Sequence, residues 1–346
     1  MKDLSGLLSG QGHMAALSDA RLPMDEVREV FENRPHYFAR IDEAAEAFHA
    51  QLSATEDSAA ALKDWLRKEH GLTVRALPVH VMPDLRRRFD RHSMRLFLSE
   101  RLSLQDQLRE IAMEAAQIAF PEAIAADLDQ LAFSTSEARR IGRFELARYA
   151  AHAIMMPYGA FHSAALRAKY DLDVLSARFR VSFEQAANRL VTLQRPGVSA
   201  VAFFLMEIDH AGHRLRKAGA QGFPQARFGG NCPKLNIHAT FSQAGQILAD
   251  RVEIFGGGEF LVLARTIDGP RANFQERIRR TAILIGCDAA HAPETVYGEV
   301  PIATVAGGTA CRLCERQGCL ARAEPPVTRP LGLDEMVTGL SAFDFQ

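Results

Sequence analysis

The chain has 346 residues, enough for two or three domains, and its composition of 47% hydrophobic and 24% charged residues is that of a globular protein. A formal net charge of −1 argues against a protein wholly devoted to coating nucleic acid, although it does not exclude a local basic patch. No segment approaches the roughly 20 apolar residues that span a bilayer, and no signal peptide is evident, so we expect a cytoplasmic protein without membrane contact.

The first half of the chain is predicted to be mainly helical. Residues 1–22 are weakly patterned and rich in Gly and Ser, which predicts a tail or linker. Apolar residues then recur at three- and four-residue steps, the spacing of one helix face. The elements predicted in this half are helices within residues 23–68, a helix from Ala59 to His70 that ends at Gly71, strands at 72–77 and 93–98, and helices at 104–120 and 144–156, the last closed by Pro157.

A basic stretch separates the two predicted strands. Arg86, Arg87 and Arg88, with Arg91 and Arg95, could bind the phosphate of nucleic acid or of a CoA-like ligand. A solvated strand face would show the same residues, and it is the simpler interpretation.

A helix-turn-helix-like segment occupies residues 172–190. Ser182 is a suitable N-cap for its second helix. Gln185, Asn188 and Arg189 on that helix carry side chains suited to base edges, so contact with DNA is one hypothesis. A buried helical pair with a polar outer face would produce the same pattern, and both interpretations stay open.

The composition changes after Arg195-Pro196-Gly197, which breaks the helical pattern and marks the predicted domain boundary. The elements predicted beyond it are strands at 201–208, 252–255, 260–266 and 281–286, a hairpin at Gly256-Gly257-Gly258, and a helix at 271–280. The predicted class is α+β, with a tail at 1–22, a mainly helical domain at 23–196, a cysteine-rich α+β domain at 197–328 and a C-terminal tail at 329–346.

Three of the five cysteines lie within nine residues of one another. Cys311, Cys314 and Cys319 have Cys-x2-Cys-x4-Cys spacing, in which two thiolates converge on one centre and the third follows one loop later. Three sulfurs need a fourth ligand, and Cys232, at a Cys-Pro step in a Gly-rich loop, is the favoured one. Cys287 ends an apolar strand and is predicted to be a buried core thiol.

The spacing favours a 4Fe-4S cluster over zinc. Structural zinc usually shows two paired knuckles, whereas this sequence has one Cys-x2-Cys pair. In local spacing only, the segment is similar to the cluster-binding cysteines of WhiB-like proteins. Zinc and unligated reduced thiols stay open as alternatives, and His238 would compete with Cys232 as a zinc ligand.

The predicted helix at 104–120 lies where a zinc peptidase of the His-Glu-x-x-His type would carry its ligands. Such a site needs two imidazoles one helical turn apart, with the Glu as general base. Here Glu114 is flanked by Met113 and Gln117 at the two ligand positions, and thioether and amide are poor substitutes for imidazole. We therefore do not expect an enzyme.

Several short segments together resemble a known family. They are residues 149–158, 170–173, 182–190, 193–197, 209–212, 229–233 and 311–319. In combination they are similar to the ImmA/IrrE-like transcriptional regulators, in particular the short-chain fatty acyl regulator branch, over roughly residues 25–328.

The resemblance implies a degenerate zincin-like domain followed by a GAF-like sensor domain. It also implies regulation of short-chain acyl-CoA, propionate or glyoxylate metabolism, with DNA as partner and a short-chain acyl-CoA as ligand. Two departures matter. The peptidase-like helix has lost both histidines, so the resemblance does not imply proteolysis, and we expect the N-terminal helix-turn-helix domain of the family to be missing, either naturally or by truncation. A further small departure is His213, where the branch tends to have Asn, which weakens a ligand role for that loop.

The sequence thus predicts a transcription-regulatory sensor that acts as a homodimer. It would couple a cysteine-ligated metal centre, a short-chain acyl-CoA or both to DNA or partner binding. One alternative is an interaction module that dimerises with relatives carrying a helix-turn-helix. The other is a zinc metalloprotease with unrecognised ligands.

Overall fold

The computed structural model describes residues 22–341 except 33, 53–56, 220–222, 225–230, 272, 300, 303, 333–335 and 338. Apart from Leu22, the predicted tail at 1–22 lies outside the described residues, as do Gly229 and Gly230 before Cys232 and residues 342–346. A helix-rich first half precedes a sheet-rich second half, which confirms the predicted α+β class.

The first half combines a helical bundle with a small sheet. Its helices are α1 (Pro23–Glu32), α2 (Ala39–Gln51), α3 (Ser58–His70), α4 (Leu104–Ala119), α5 (Pro121–Asp129), α6 (Ser136–Met155), α7 (Tyr158–Arg167), α8 (Leu172–Phe179) and α9 (Phe183–Leu190). Its strands are β1 (Thr73–Leu77), β2 (Arg87–Asp90) and β3 (Arg95–Ser99). As predicted, α3 ends at Gly71, whose φ of 62° closes the helix in the left-handed region.

The second half is built on strands. They are β4 (Gln194–Arg195), β5 (Val198–Ser199), β6 (Phe204–Asp209), β7 (Arg214–Gly219), β8 (Leu248–Ile254), β9 (Glu259–Asp268), β10 (Arg280–Asp288) and β11 (Thr304–Gly307). A short helix, α10 (Asn236–Ala239), and short 3-10 helices lie between or after these strands, and one of the 3-10 helices is at Cys311–Leu313.

Helix α6 is the centre of the helical half. It packs against α4, α2, α1 and α5, and from Tyr149 to Met155 every one of its side chains is buried. Several of these are alanines, which let neighbouring helices approach on all sides. The Thr135 hydroxyl caps the start of α6 by accepting the Ala138 N–H at 3.1 Å.

A fully buried ion pair joins α2 to α9. Arg189 donates to both carboxylate oxygens of Asp42, at 2.5 and 3.3 Å, and to the carbonyl of Met156 at 2.8 Å. The Tyr149 hydroxyl of α6 also donates to Asp42. Neither charged side chain of the pair has any exposure, so each depends on the other for its compensating interactions.

The helix-turn-helix-like segment is confirmed as a structure, with the Ser182 hydroxyl accepting the Gln185 N–H and Gln185 bonding back to the Ser182 N–H. The structure contradicts the hypothesis of DNA contact, because Gln185, Asn188 and Arg189 are each at most 2% exposed. Their side chains bind Gln105, Glu184 and Asp42 instead. The buried helical pair is the correct interpretation.

The main sheet has the strand order β11-β8-β9-β10-β6-β7 and buries both of its faces. Leu261 and Ile283 on the central strands pack into the core of the helical half. Their neighbours Val262 and Leu284 pack into a second cluster, which includes Cys232, Leu235 and Ile237. One face of the sheet therefore rests on the helices, and the other lies under the segment that begins at Cys232.

Two sequence predictions in this half differ from the structure. The predicted helix at 271–280 is wrong, because Arg280 begins β10 and the described residues before it form the loop between β9 and β10. In that loop the Asn273 side chain accepts the N–H groups of Gln275 and Glu276. The edge strands β7 and β11 were not predicted. The hairpin at Gly256, with a φ of 69°, is confirmed.

Within the described part of the chain, no helix combines the length and apolarity needed to cross a bilayer.

We predict that Arg189→Ala destabilises the fold by about 3–5 kcal/mol, because it leaves the Asp42 carboxylate buried without its arginine partner. Urea unfolding monitored by circular dichroism gives the free energy. Arg67→Ala, which breaks an exposed pair with Asp64, is the control and should change stability little. Similar midpoints for both variants would contradict the assigned role of the buried pair.

Acid should destabilise the protein through two buried histidines. Burial and nearby Arg216, Arg148 and Arg34 lower the pKa of His36 to about 3, and burial lowers the pKa of His152 well below its usual value. Unfolded imidazoles protonate near pH 6.5, so below that pH protons bind preferentially to the unfolded chain.

Stability should therefore fall by up to about 1.4 kcal/mol per pH unit for each imidazole as pH drops below about 6. Urea unfolding between about pH 7 and 5 should show a shallower loss in His36→Gln/His152→Gln than in the parent chain. His80→Gln, at an exposed position, should keep the parent slope. Equal slopes in all three proteins would refute the prediction.

Candidate metal centre

Four of the five cysteines line one cleft. Cys232 meets Cys311, Cys314 and Cys319 there, in an open cavity of about 310 Å³ that includes the space at its mouth. The remaining wall is formed mainly by small residues and two arginines: Pro233, Ala306, Gly307, Gly308, Ala310, Ala321, Arg316 and Arg322. The four cysteines grouped from sequence thus face a common space, although Cys232 is far from the others along the chain.

The fifth cysteine is elsewhere. Cys287 is fully buried near the end of β10 in the core shared with the helices, as predicted, and burial raises the pKa of its thiol to about 12. His238 is not among the residues that line the cleft; it lies on α10 beside Gly212.

Backbone amides point at the sulfurs. The N–H groups of Lys234 and Gly308 donate to Cys232, and the N–H of Ala323 donates to the Cys311 sulfur at 3.4 Å. Burial raises the pKa of the Cys232 thiol, the neighbouring Cys311 and Cys314 raise it further, and the two amides act in the opposite direction. Amide donors of this kind stabilise thiolate ligands and tune iron–sulfur centres.

Gly308 allows the cysteine segment to approach the end of β11. A Cβ atom at this position would lie 2.8 Å from the Cys314 sulfur and 3.0 Å from its Cβ atom. No side chain other than hydrogen fits there without moving Cys314. The Gly307-Gly308 pair is the sequence signal for this contact, which cysteine spacing alone does not predict.

A buried arginine holds the cysteine segment in shape. Arg322, only 7% exposed, donates to the carbonyls of Cys311, Cys314, Arg316 and Glu324 at 2.8–3.3 Å. Because these four groups come from different parts of a segment with little regular structure, the guanidinium replaces the backbone hydrogen bonds that a helix or strand would supply.

The segment is also tied to the main sheet. The Arg316 guanidinium binds Glu253 of β8 at 3.2 Å and lies 5.6 Å from the centre of the Phe255 ring. Lys234 donates to the carbonyl of Ala306 on β11 at 3.2 Å. The cleft is therefore built on the β11 edge of the sheet.

Among the described residues, no three His, Cys, Asp or Glu side chains are grouped as a ready-made site for a metal ion. Four sulfur donors with amide hydrogen bonds and two nearby arginines nevertheless match the donor set of a cysteine-ligated cluster. The residues present therefore fit such a group chemically.

The peptidase-like helix offers no comparable site. On α4, the Glu114 carboxylate accepts from Arg87 of β2 at 2.8 Å. The Gln117 amide donates to the carbonyl of Met113 in its own helix at 3.3 Å, and Met113 is buried. The Glu of the peptidase pattern is thus paired with an arginine, and neither flanking position presents an imidazole.

Comparison with protein families divides the chain into two matching regions. Residues 67–191 match the IrrE N-terminal-like domain, and residues 192–343 match the family described as "Short-chain fatty acyl coenzyme A regulator, C-terminal". The second match contains all four cysteines of the cleft.

Characterised relatives match along most of the chain. The propionyl-CoA carboxylase regulator of Cereibacter sphaeroides is 35% identical over 330 residues, which is 93% of this chain and 69% of that protein. The HTH-type transcriptional regulator RamB of Mycobacterium tuberculosis is 34% identical over the same length and share of each chain. The regulator PrpR of the same organism is 30% identical over 344 residues, 96% of this chain and 70% of that protein.

A solved structure shares the fold. The chain named "Mycobacterium tuberculosis transcriptional regulator" superposes with a TM-score of 0.88 at 28% identity, covering 94% of this chain and 100% of that one.

Arg322→Gln should unravel the cysteine segment, because four carbonyls lose a charged donor; we expect a loss of about 2–4 kcal/mol. Thermal unfolding and the rate at which a thiol reagent modifies the chain are the measurements. Arg312→Gln, which breaks only an exposed pair with Glu324 in the same segment, is the matched control. If thiol reactivity changes no more in Arg322→Gln than in the control, Arg322 does not hold the cysteine segment in place.

Proposed function

The chain belongs to the short-chain fatty acyl coenzyme A regulators and is a transcriptional regulator, as its sequence resemblance implied, and from this we propose that it is a sensor whose four-cysteine cleft holds an iron–sulfur cluster. The observation that carries the proposal is the convergence of Cys232 with Cys311, Cys314 and Cys319 around one space. When bound, such a cluster supplies a group that responds to oxidation.

The cysteine spacing favours a 4Fe-4S cluster over zinc. Structural zinc usually shows two paired Cys-x2-Cys or Cys/His knuckles, whereas this chain has one Cys-x2-Cys pair, a third cysteine close by and a fourth at a distant Cys-Pro step. Arg316 and Arg322 beside the cleft would offset the negative charge of four thiolates around such a cluster.

The chain's own residues supply a route from the cleft to the helices. Gly307 and Gly308 join the cleft to β11, and Cys232 begins the segment that covers one face of the main sheet. The opposite face packs on the helical core. A change in how the cysteine segment is held would therefore act on strands that the helices also contact.

A short-chain acyl-CoA is the second proposed signal. Support comes from the family description and from the similarity to a propionyl-CoA carboxylase regulator. We propose that this ligand and the cluster together control binding to DNA, with the protein acting as a homodimer.

Two alternatives remain. The chain could act through partners that carry a helix-turn-helix, and co-purification with such a partner would distinguish this from direct DNA binding. A zinc peptidase is disfavoured by the pairing of Glu114 with Arg87 and by Met113 and Gln117 at the ligand positions. A zinc-loaded, reduced chain should cleave no peptide substrate.

We expect the chain purified without oxygen to be brown and to contain about four iron and four sulfide per chain. Cys314→Ser and Cys232→Ser should each lose most of the iron, because each removes a ligand. Cys287→Ser is the matched control and should keep its iron, since that thiol lies outside the cleft. The visible spectrum and metal analysis give the answer.

A colourless protein with one zinc per chain would replace the iron–sulfur proposal with a structural zinc site. Full retention of metal in Cys232→Ser would show that this cysteine is not a ligand.

A further inference from the structure

The small sheet of the first half has an outer face that none of the contacts described above uses. The strand order is β1-β3-β2, and Leu96 and Leu98 of β3 are buried in the helical core. Side chains alternate along a strand, so Phe97 lies on the opposite, outer face. Phe97 is paired in register with Arg75 on β1 and with Arg88 on β2.

Arg75, Phe97 and Arg88 form one row across the outer face. Arg95 lies on the same face, two residues before Phe97 on β3. Arg75, Arg88 and Arg95 are exposed, whereas Phe97 between them is partly covered. In the register, Arg95 stands opposite Asp90, whose carboxylate accepts from the Ser93 hydroxyl and the His92 N–H.

The outer arginines differ in their pairing from those that face α4. Arg86 binds Glu110, and Arg87 binds Glu114, so the charges on that side are neutralised. Within the described part of the chain, Arg75, Arg88 and Arg95 form no ion pair or side-chain hydrogen bond. Their charges are therefore available to a partner.

The charge excess is local. Residues 75–101 contain seven arginines and three acidic residues, but Arg86, Arg87 and Arg101 pair with acidic residues outside this range. The excess on the outer face therefore comes from Arg75, Arg88 and Arg95. Unpaired charges of one sign on one face create a field that attracts an anionic surface. We infer that this face contacts the phosphate backbone of double-stranded DNA, independently of base sequence; the inference rests on the proposed DNA-binding function.

The dimensions of the face suit a duplex. Neighbouring strands are about 4.8 Å apart, so the Cα atoms of Arg75 and Arg88 are separated by about 10 Å. A duplex carries one charge per about 1.7 Å of its axis, so several phosphates lie within reach of the three guanidinium groups at once.

Other nucleotide ligands fit the face less well. A small ligand such as a free nucleotide usually needs a concave site, and this is an exposed sheet face with solvent-exposed arginines. A single-strand platform needs several accessible rings on which successive bases stack, and Phe97 is one ring, partly covered. Duplex DNA requires only the charges.

The test is titration of a labelled duplex of random sequence, about 20 base pairs long, with the full chain at about 50 to 200 mM salt. We compare Arg75→Gln/Arg88→Gln/Arg95→Gln with the matched control Arg140→Gln/Arg143→Gln/Arg178→Gln, which removes three exposed arginines from α6 and α8. The sheet-face variant should bind at least about tenfold more weakly at the lowest salt, and its salt slope should fall by about 2–3. The control should stay within about twofold of the parent.

A third variant tests whether misfolding, and not loss of charge, explains weaker binding. Arg75→Lys/Arg88→Lys/Arg95→Lys keeps the charges and should retain most of the binding, because phosphate contacts of this kind depend on charge. Phe97→Leu should leave duplex binding unchanged, since the bases of a duplex are stacked on one another.

Three results would overturn the inference. They are no salt-dependent duplex binding by the parent chain, equal binding by the sheet-face Gln variant and the parent, or a loss of duplex binding in Phe97→Leu as large as the loss in the sheet-face Gln variant. Iron and sulfide content, measured on the same preparations, tests the proposed metal centre separately from the sheet face.

Discussion

Burial of both faces of the six-stranded sheet is the constraint on which the rest of this structure depends. Leu261 and Ile283 point toward the helices, and their immediate neighbours Val262 and Leu284 point toward the segment that begins at Cys232. Because both faces need a cover, the helical half and the cysteine-bearing segment share the same strands. The metal centre that we propose is therefore built into the support of the sheet and is not an appendage.

Arginine has three distinct physical roles in this molecule. Arg189 is a buried charge that depends on one carboxylate, Asp42, and joins helices that are distant in sequence. Arg322 uses its planar array of donors to fix a segment that lacks regular hydrogen bonding. Arg88 remains exposed beside Phe97, where its charge can act outside the molecule. Burial and the available acceptors, not residue type, decide which role each one has.

The sequence was sufficient where the determinants are local. The N-cap at Ser182, the stop at Gly71 and the apolar central strands depend on neighbouring residues, and they were predicted correctly. Strand β7 was missed because it has the polar sequence of a partly exposed edge strand. The interpretation of Arg189 as a DNA-contacting residue was contradicted because its partner, Asp42, is 147 positions away.

At the candidate site, too, the sequence indicated the local features and missed the contacts that form only on folding. Cysteine spacing grouped Cys311, Cys314 and Cys319, and the Cys-Pro step led to Cys232. All four line one cleft, and their role as metal ligands stays a prediction. The roles of Arg322 and Gly308 could not be predicted, because their partners are backbone carbonyls and a sulfur brought close only by folding.

The most direct test of the central claim is iron K-edge X-ray absorption of the chain isolated under nitrogen. We expect iron surrounded by sulfur, with a second shell of neighbouring iron atoms, in an amount equal to about four irons per chain. An iron signal with oxygen neighbours and no iron shell, or no iron at all, would contradict the claim that the four thiols share an iron–sulfur centre.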